Sequence, residues 1–292
     1  LAGRPLRGLT GVQWVEAALS PPPPGTELCL SWDERAGVAR TALRGRRTPV
    51  ATGVIWLGEQ GGTPVRAESL RALSRAAFVW VLSVAQVDRL VELGLPRRRV
   101  RHLLFGVDAD FFFARPADEA EPGLLVSVGN DRHRDWVTLL DAFRRLRAVR
   151  RHVRLEVVTT AELPPAEGLT VHRRLGHAQL RDVYARASAV VLSTKPNLHV
   201  SGMTAALEAQ ALARPVVLSR TPGAGDYLEH ERSGYLTPPG DAAALADRLV
   251  EIVDAGPPLV QTLGAQGRRA VEDRLNSAAQ AARLARLIDE HC

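Results

Sequence analysis

The 292-residue sequence has little cysteine, one lysine and no long apolar run. Its two cysteines, Cys29 and Cys292, cannot build a disulfide framework or a cysteine-rich metal site, so a reducing compartment fits best. No apolar run approaches the roughly 18 residues of a transmembrane helix. The N-terminus lacks the charged-then-apolar pattern of a signal peptide. We therefore expect a cytoplasmic protein.

The net charge of +6 comes almost entirely from arginine, since Lys195 is the sole lysine. An arginine-rich codon bias explains this composition, and attraction to phosphate-bearing substrates or an anionic membrane is the functional alternative. No zinc finger, basic region with heptads or aromatic RNA-binding signature is present, so nucleic acid is not an expected partner.

Short apolar runs alternate with helical patterns along the whole chain. The expected strands are Glu27–Ser31, Gly53–Leu57, Phe78–Ser83, Val100–Phe105, Leu124–Val128, Arg154–Val158, Leu169–His172, Ala189–Leu192 and Pro215–Leu218. The expected helices are Gly11–Leu19, Ser69–Arg75, Ala85–Leu93, Trp136–Val149, Ala178–Ala187, Met203–Ala213, Ala242–Asp254 and a long one over about Ala265–Ile288. This alternation predicts a doubly wound α/β architecture. Proline and acidic residues in Ala114–Gly123 indicate an exposed linker between two halves, and Pro21–Pro24 indicates a stiff spacer.

Two segments of the second half carry residues suited to phosphate chemistry. Ser201–Ala211 follows an apolar strand and opens a helix, with Ser201 as the expected N-cap. The amides of Gly202, Met203 and Thr204 would then form an anion site, and Glu208 could accept hydrogen bonds from two ribose hydroxyls. A helix cap beside a surface glutamate is the alternative interpretation.

The other segment, 126–143, runs from a buried strand ending at Gly129 into a polar loop and an amphipathic helix. Its loop arginines, Arg132 and Arg134, could neutralise a diphosphate leaving group. A solvated turn is the alternative.

These segments and their order resemble the family 4 glycosyltransferases over Phe105 to about Asp254. The matching stretches are GVDADFF, SVGNDRHRD, TLLDAF, DVYARASAVVLS, the Leu-Glu-Ala helix and GYLTPPGD. The resemblance implies a GT-B fold of two Rossmann-like domains facing across a cleft, the N-terminal one short or truncated. It implies an acceptor-side domain at 1–115, a donor domain at 116–265, and a C-terminal helix at 266–292 that crosses back to the first domain.

The resemblance also implies roles for particular residues. Arg134 stands where the family often has a phosphate-binding lysine, and Arg132 would supply a second charge. Glu208 would bind the ribose, and the amides of 201–204 the phosphates. Gly129, Asn130 and Lys195 are further candidate donor contacts. His199 is a candidate catalytic residue, together with Arg132 and Arg134.

The sequence departs from the family pattern in two places. Val200 stands where the family's first glutamate is expected, so His199 or Lys195 could contact the sugar or phosphate instead. The N-terminal half shows neither the usual Gly-rich loop nor the usual histidine, and Gly53–Gly62 carries Trp56, Leu57 and Glu59 there.

The implied function is transfer of a sugar from a nucleoside-diphosphate sugar to an acceptor hydroxyl, with retention and without a metal or other cofactor. The acceptor, a carbohydrate or a lipid-linked molecule, is expected between Trp32–Arg35 and the 56–62 loop. Clusters of arginine at 40–47 and 97–101 leave peripheral contact with the inner membrane face open. The alternatives are a non-catalytic nucleotide-sugar-binding protein and a GT-B sugar-nucleotide epimerase.

Overall fold

The structure is a computed structural model that describes residues 25–43, 48–59 and 67–291. The expected Gly11–Leu19 helix and Pro21–Pro24 spacer lie outside these residues. The strands are β1 (Cys29–Ser31), β2 (Val50–Gly53), β3 (Phe78–Val81), β4 (Val100–His102), β5 (Leu124–Val128), β6 (Arg154–Val158), β7 (Leu169–His172), β8 (Ala189–Leu192), β9 (Val216–Ser219) and β10 (Gly234–Thr237). The α-helices are α1 (Glu34–Leu43), α2 (Ala67–Leu73), α3 (Val84–Glu92), α4 (Trp136–Val149), α5 (His177–Arg186), α6 (Met203–Ala211), α7 (Ala242–Ala255), α8 (Pro257–Arg274) and α9 (Ser277–His291).

The described strands form two parallel sheets, one in each of two compact units. The smaller unit comprises the described residues up to Leu103 and those from Arg283 onward, with the sheet order β1-β2-β3-β4. The larger unit, Leu104–Ala282, has the order β10-β9-β8-β5-β6-β7. The expected doubly wound α/β class is confirmed. Most strands are apolar on both faces because helices cover both sides of a parallel sheet.

The larger sheet reverses its direction of growth between β5 and β8. From β5 the chain adds β6 and β7 on one side, then returns to add β8, β9 and β10 on the other. Strands β5 and β8 are hydrogen-bonded neighbours, with Leu125 opposite Ala189. A crevice therefore opens beyond the carboxyl ends of β5 and β8, where open α/β sheets bind ligands.

The second strand lies three residues before its expected position at Gly53–Leu57. Glu34 is buried at the start of α1, and its carboxylate accepts hydrogen bonds from the amides of Ile55, Trp56 and Leu57 at 2.7–2.9 Å. Those amides cannot join a strand ladder, so this apolar run is a loop and β2 ends at Gly53.

Helix α1 was not expected from the sequence because its residues, ERAGVARTAL, carry little apolar periodicity and an interior glycine. Gly37 is needed because a Cβ at this position would overlap the side chain of Thr52 on β2. Close approach to the sheet, rather than helix propensity, explains this residue.

The long helix expected over Ala265–Ile288 is two helices, α8 and α9, joined at Asn276. Asn276 Nδ2 donates to the carbonyl oxygens of Val271 and Glu272 at the end of α8. Asn276 Oδ1 accepts from the amide of Ala279 in the first turn of α9. One side chain thus caps both helices, and Val107 pairs with Asn276 at the break.

Residues at the end of α9 pack on the sheet of the smaller unit. Leu284, Leu287 and Ile288 contact a core that contains Phe78 and Trp80. Residues 277–282 of the same helix cluster with the larger unit. In the part of the chain that the structure describes, no helix is long and apolar enough to cross a bilayer.

The segment Ala114–Gly123, expected to be a linker, clusters with the larger unit, which begins at Leu104. Arg214 is fully buried there and donates to the carbonyl oxygens of Ala185 and Pro116, both at 2.8 Å. Burial lowers the pKa of Arg214 to about 10. This guanidinium ties residues 115–116 to α5 through backbone oxygens.

Candidate functional site

Two loops meet at the carboxyl ends of β5 and β8, where the larger sheet reverses. The first loop, residues 129–135, leads from β5 into α4, and the second, residues 193–202, leads from β8 into α6. Arg134 and Thr194 form an antiparallel bridge between the loops, and the amide of Lys195 donates to the carbonyl oxygen of His133 at 2.7 Å. The two segments singled out from the sequence are therefore joined in space.

Arg134 is the most unusual side chain of these loops. It is buried, with 6% of its surface exposed, and it forms no ion pair with a carboxylate of the described residues. Nη2 donates to the carbonyl oxygen of Val128, whereas Nε and Nη1 are buried and have no acceptor in the part of the chain that the structure describes. Burial lowers the pKa of Arg134, although the nearby charges oppose this effect. A buried guanidinium with unused donors is costly by itself, and a bound anion would satisfy it.

Two glycines, one from each loop, leave the space that Arg134 occupies. A Cβ at Gly129 would overlap the guanidinium, and a Cβ at Gly202 would lie 2.6 Å from Nη1. Gly202 also has a φ of +92°, which side chains rarely adopt. The glycines thus place Arg134 beside the first turn of α6.

Asp131 holds the two loops together, a role that the sequence analysis missed. Oδ1 accepts from the amide of His133 at 2.7 Å and from Ser201 Oγ at 3.0 Å, while Oδ2 accepts from His199 Nε2 at 3.1 Å. Burial raises the pKa of Asp131, but the hydrogen bonds, above all that from His199, outweigh burial and lower it. The 68-residue separation of Asp131 and His199 left no local pattern to find.

The N-cap expected at Ser201 is wrong, because Gly202 is the N-cap of α6 and has no capping side chain. Val200 has a φ of +53°, which turns the chain so that the Ser201 hydroxyl meets Asp131 instead. The Ser201 amide donates to Asn197 Oδ1, and the Met203 amide donates to the Val200 carbonyl oxygen. Two of the four amides expected to bind phosphate are therefore already used. Among the described residues, the Gly202 and Thr204 amides have no acceptor.

Glu208 projects from the second turn of α6 and pairs with a tyrosine. Tyr184, which is fully buried on α5, donates its hydroxyl to Glu208 Oε2 at 2.9 Å. Burial raises the pKa of Glu208 to about 7, although the hydrogen bond from Tyr184 opposes the shift. Burial also raises the pKa of Tyr184 well above its usual value. The positive charge of Arg134 lowers the pKa of the same tyrosine, but by less than burial raises it.

The other expected donor contacts have different environments, some buried and some exposed. Asn130 Oδ1 accepts from the amide and hydroxyl of Thr160, and thus fixes the loop after β6. Lys195 and Arg132 are exposed at the rim of the loops. His199 is buried against Asp131 rather than presented to solvent.

Two arginines of the 97–101 cluster have hydrogen-bond partners within the smaller unit. Arg99 donates to the Ala76 carbonyl oxygen, and Arg101 Nη2 lies 2.7 Å from His291 Nε2. Arg97 and Arg98 are exposed. The arginines at 44, 46 and 47 lie outside the described residues, as does part of the 56–62 loop.

Comparisons with known proteins show which family and which solved structures this chain is similar to. Residues 122–255 match the family model described as "Glycosyl transferases group 1". The matched residues make up somewhat less than half of the chain. The fold is that of GT-B glycosyltransferases, with two parallel α/β domains. The matched residues include β5, both loops and α6.

Individual proteins resemble this chain over a short segment or at low sequence identity. The capsular polysaccharide biosynthesis glycosyltransferase CapM of Staphylococcus aureus is 32% identical over 71 residues, which are 24% of this chain and 18% of CapM. The match thus spans less than a fifth of that relative. HepE of Anabaena, solved in complex with UDP and glucose, has a TM-score of 0.74 at 17% identity, covering 90% of this chain and 78% of HepE. Sucrose-phosphate synthase from Thermosynechococcus elongatus has a TM-score of 0.73 at 21% identity, and the match covers 90% of this chain and 73% of the synthase.

Proposed function

We propose that this protein is a glycosyltransferase that moves a sugar from a nucleoside-diphosphate sugar to an acceptor hydroxyl. The buried Arg134, with two unused donors between Gly129 and Gly202, is the observation that carries the proposal. The match of residues 122–255 to group 1 glycosyltransferases gives this anion site its chemical context. HepE in complex with UDP and glucose supports a uridine nucleotide as the first donor to test.

In the proposed transfer step, the bond from the sugar to the diphosphate breaks, the acceptor oxygen forms a bond to the sugar, and the acceptor proton passes to the departing diphosphate, whose negative charge is stabilised. Arg134 Nε and Nη1 would bind the phosphate oxygens, and the Gly202 and Thr204 amides would add donors at the positive end of α6. Because these donors are held in place before the reaction, they need little reorganisation as negative charge develops. Arg132, at the rim, would add a second positive charge. Transfer by this route needs no metal ion.

The ribose of the donor would lie against Glu208. Its Oε1 atom faces no donor among the described side chains, while Tyr184 holds Oε2. A carboxylate can accept from two neighbouring hydroxyls, and its hydrogen bonds to them are worth about 1.5–3 kcal/mol each.

We further propose retention of anomeric configuration and an acceptor bound by the N-terminal domain. The name of CapM suggests a polysaccharide precursor as acceptor, which could be soluble or lipid-linked. A double displacement of the glycosidase type is not proposed, because the Asp131 carboxylate is already hydrogen-bonded by His133, His199 and Ser201.

A donor panel tests the function. The purified chain is incubated with UDP-, GDP- and ADP-sugars and short oligosaccharide or polyprenyl-phosphate acceptors, with and without EDTA. Glycosylated product whose anomeric proton matches the donor's configuration supports the full proposal. Nucleotide-sugar binding without transfer or hydrolysis would instead indicate a non-catalytic binding protein, and isomerised donor without acceptor would indicate an epimerase.

A further inference from the structure

Three potential metal ligands converge where the two loops meet. Asp131 and His133 come from the loop after β5, and His199 comes from the loop after β8. One ligand atom from each residue lies within 4.8 Å of the other two. The sequence gives no sign of this set, because His199 lies 66 residues after His133 along the chain.

Two distances within the cluster, each to one oxygen of the Asp131 carboxylate, fall in the range that separates ligands of one metal ion. His199 Nε2 lies 3.1 Å from Asp131 Oδ2, and His133 Nδ1 lies 3.4 Å from Asp131 Oδ1. Ligands about 2.1 Å from one ion are about 3.0–3.4 Å from each other in octahedral or tetrahedral geometry. The two imidazoles are tilted by 58°, with ring centroids 5.0 Å apart, so they are not stacked face to face.

His133 provides an independent indication of a ligand. Its Nδ1 is buried and makes no hydrogen bond, because its approach to Asp131 does not satisfy hydrogen-bond geometry. A buried polar atom without a partner is uncommon in a folded protein. Coordination to a cation would satisfy this nitrogen and would use the carboxylate and the second imidazole as well.

We propose that Asp131, His133 and His199 form a binding site for a divalent transition-metal ion such as Zn²⁺ or Co²⁺. Two imidazoles and one carboxylate favour such ions over Mg²⁺ and Ca²⁺, which prefer oxygen ligands. The bound ion links the 129–135 and 193–202 loops. It is not required for the leaving-group stabilisation assigned to Arg134, so this site stands or falls independently of the glycosyltransferase proposal.

Cobalt titration of the full chain, treated with EDTA and freed of any polyhistidine tag, tests the site. We expect visible d–d absorption that saturates at one equivalent of Co²⁺ and is displaced by Zn²⁺. His133→Ala and His199→Ala should each weaken Co²⁺ binding by at least about tenfold. His172→Ala is the matched control, because His172 also lies 3.1 Å from a carboxylate, that of Glu156, but belongs to no group of three potential ligands among the described residues.

Circular dichroism of the metal-free variants verifies that they are folded, and Asp131→Asn provides a second route if a histidine variant is not. No visible band for the wild type, or equal Co²⁺ binding by the wild type and both cluster variants, would overturn the proposal.

Discussion

The Arg134→Met substitution should lower the affinity of this protein for a nucleoside diphosphate without lowering its stability. Methionine keeps an apolar stem between the two loops but removes the guanidinium, whose Nε and Nη1 have no acceptor among the described residues. Hydrogen bonds to a charged partner contribute about 1.5–3 kcal/mol each. Two such bonds to a diphosphate amount to about 3–6 kcal/mol, so nucleoside-diphosphate affinity should fall roughly 100-fold or more.

Stability without ligand should change in the opposite direction or not at all. Burial lowers the pKa of Arg134, which means that the folded protein holds this charge at a cost in free energy. The loss includes one hydrogen bond, to the Val128 carbonyl oxygen, worth about 1 kcal/mol. Replacing an unpaired buried charge by an apolar side chain is often neutral or stabilising. We therefore expect an unchanged or higher Tm for Arg134→Met.

Calorimetry and thermal melting provide the two measurements. The nucleoside diphosphate that the wild type binds most tightly is compared with its own nucleoside, which has no phosphate for Arg134 to contact. Arg144→Met, on the exposed face of α4, is the matched control for loss of one positive charge. A lower Tm together with equal losses of affinity for both ligands would assign Arg134 a folding role and refute the reasoning.

Three further predictions follow from the same site and from the smaller unit. Because the pKa of Glu208 is raised to about 7, nucleoside affinity should fall as pH drops below 7, and Glu208→Gln should abolish this dependence and lose about 2–4 kcal/mol at pH 8. Gly202→Ala should lower diphosphate affinity at least tenfold because its Cβ meets the buried guanidinium; Gly240→Ala, with a φ of +79° and open space around it, should keep affinity while losing a similar amount of stability. Anionic vesicles should sediment the chain at low salt only, and replacement of Arg97 and Arg98 by alanine should weaken this by about 1 kcal/mol per arginine.

Each of these has a clear contrary result. A pH-independent nucleoside affinity in the wild type would remove Glu208 from the ribose site. Equal diphosphate affinities for Gly202→Ala and Gly240→Ala would mean that the guanidinium does not bind phosphate. No sedimentation at low salt would favour an acceptor that is not membrane-bound.

The raised pKa of Glu208 also determines how its ionisation affects folding. A carboxyl that holds its proton more tightly when folded contributes stability below its unfolded pKa, about 4.5, and that contribution is lost as pH rises through about 7. The effect is at most about 3 kcal/mol at 1.36 kcal/mol per unit. Glu208→Gln should flatten the stability profile between pH 4.5 and 7 in thermal melts of the ligand-free chain.

The sequence by itself determined most of the secondary structure of the larger unit. Strands β5 to β8 and helix α4 have the expected bounds because continuous apolar runs and a 3.6-residue apolar period are local properties of the chain. The motifs at 126–143 and 201–211 likewise indicated a phosphate site, since glycine, arginine and a helix start are readable in sequence. Their roles in binding stay predictions.

The tertiary structure alone decided which polar groups are used and which are left over. Glu34 binds the amides of Ile55–Leu57 and thereby turns an apolar run into a loop. Asp131 meets His199 and Ser201 about 70 residues away, which takes the hydroxyl from the expected helix cap and leaves Arg134 with unused donors. These outcomes depend on pairings between distant segments, and hydrophobic periodicity carries no information about such pairings because it reports only which face of each element is buried.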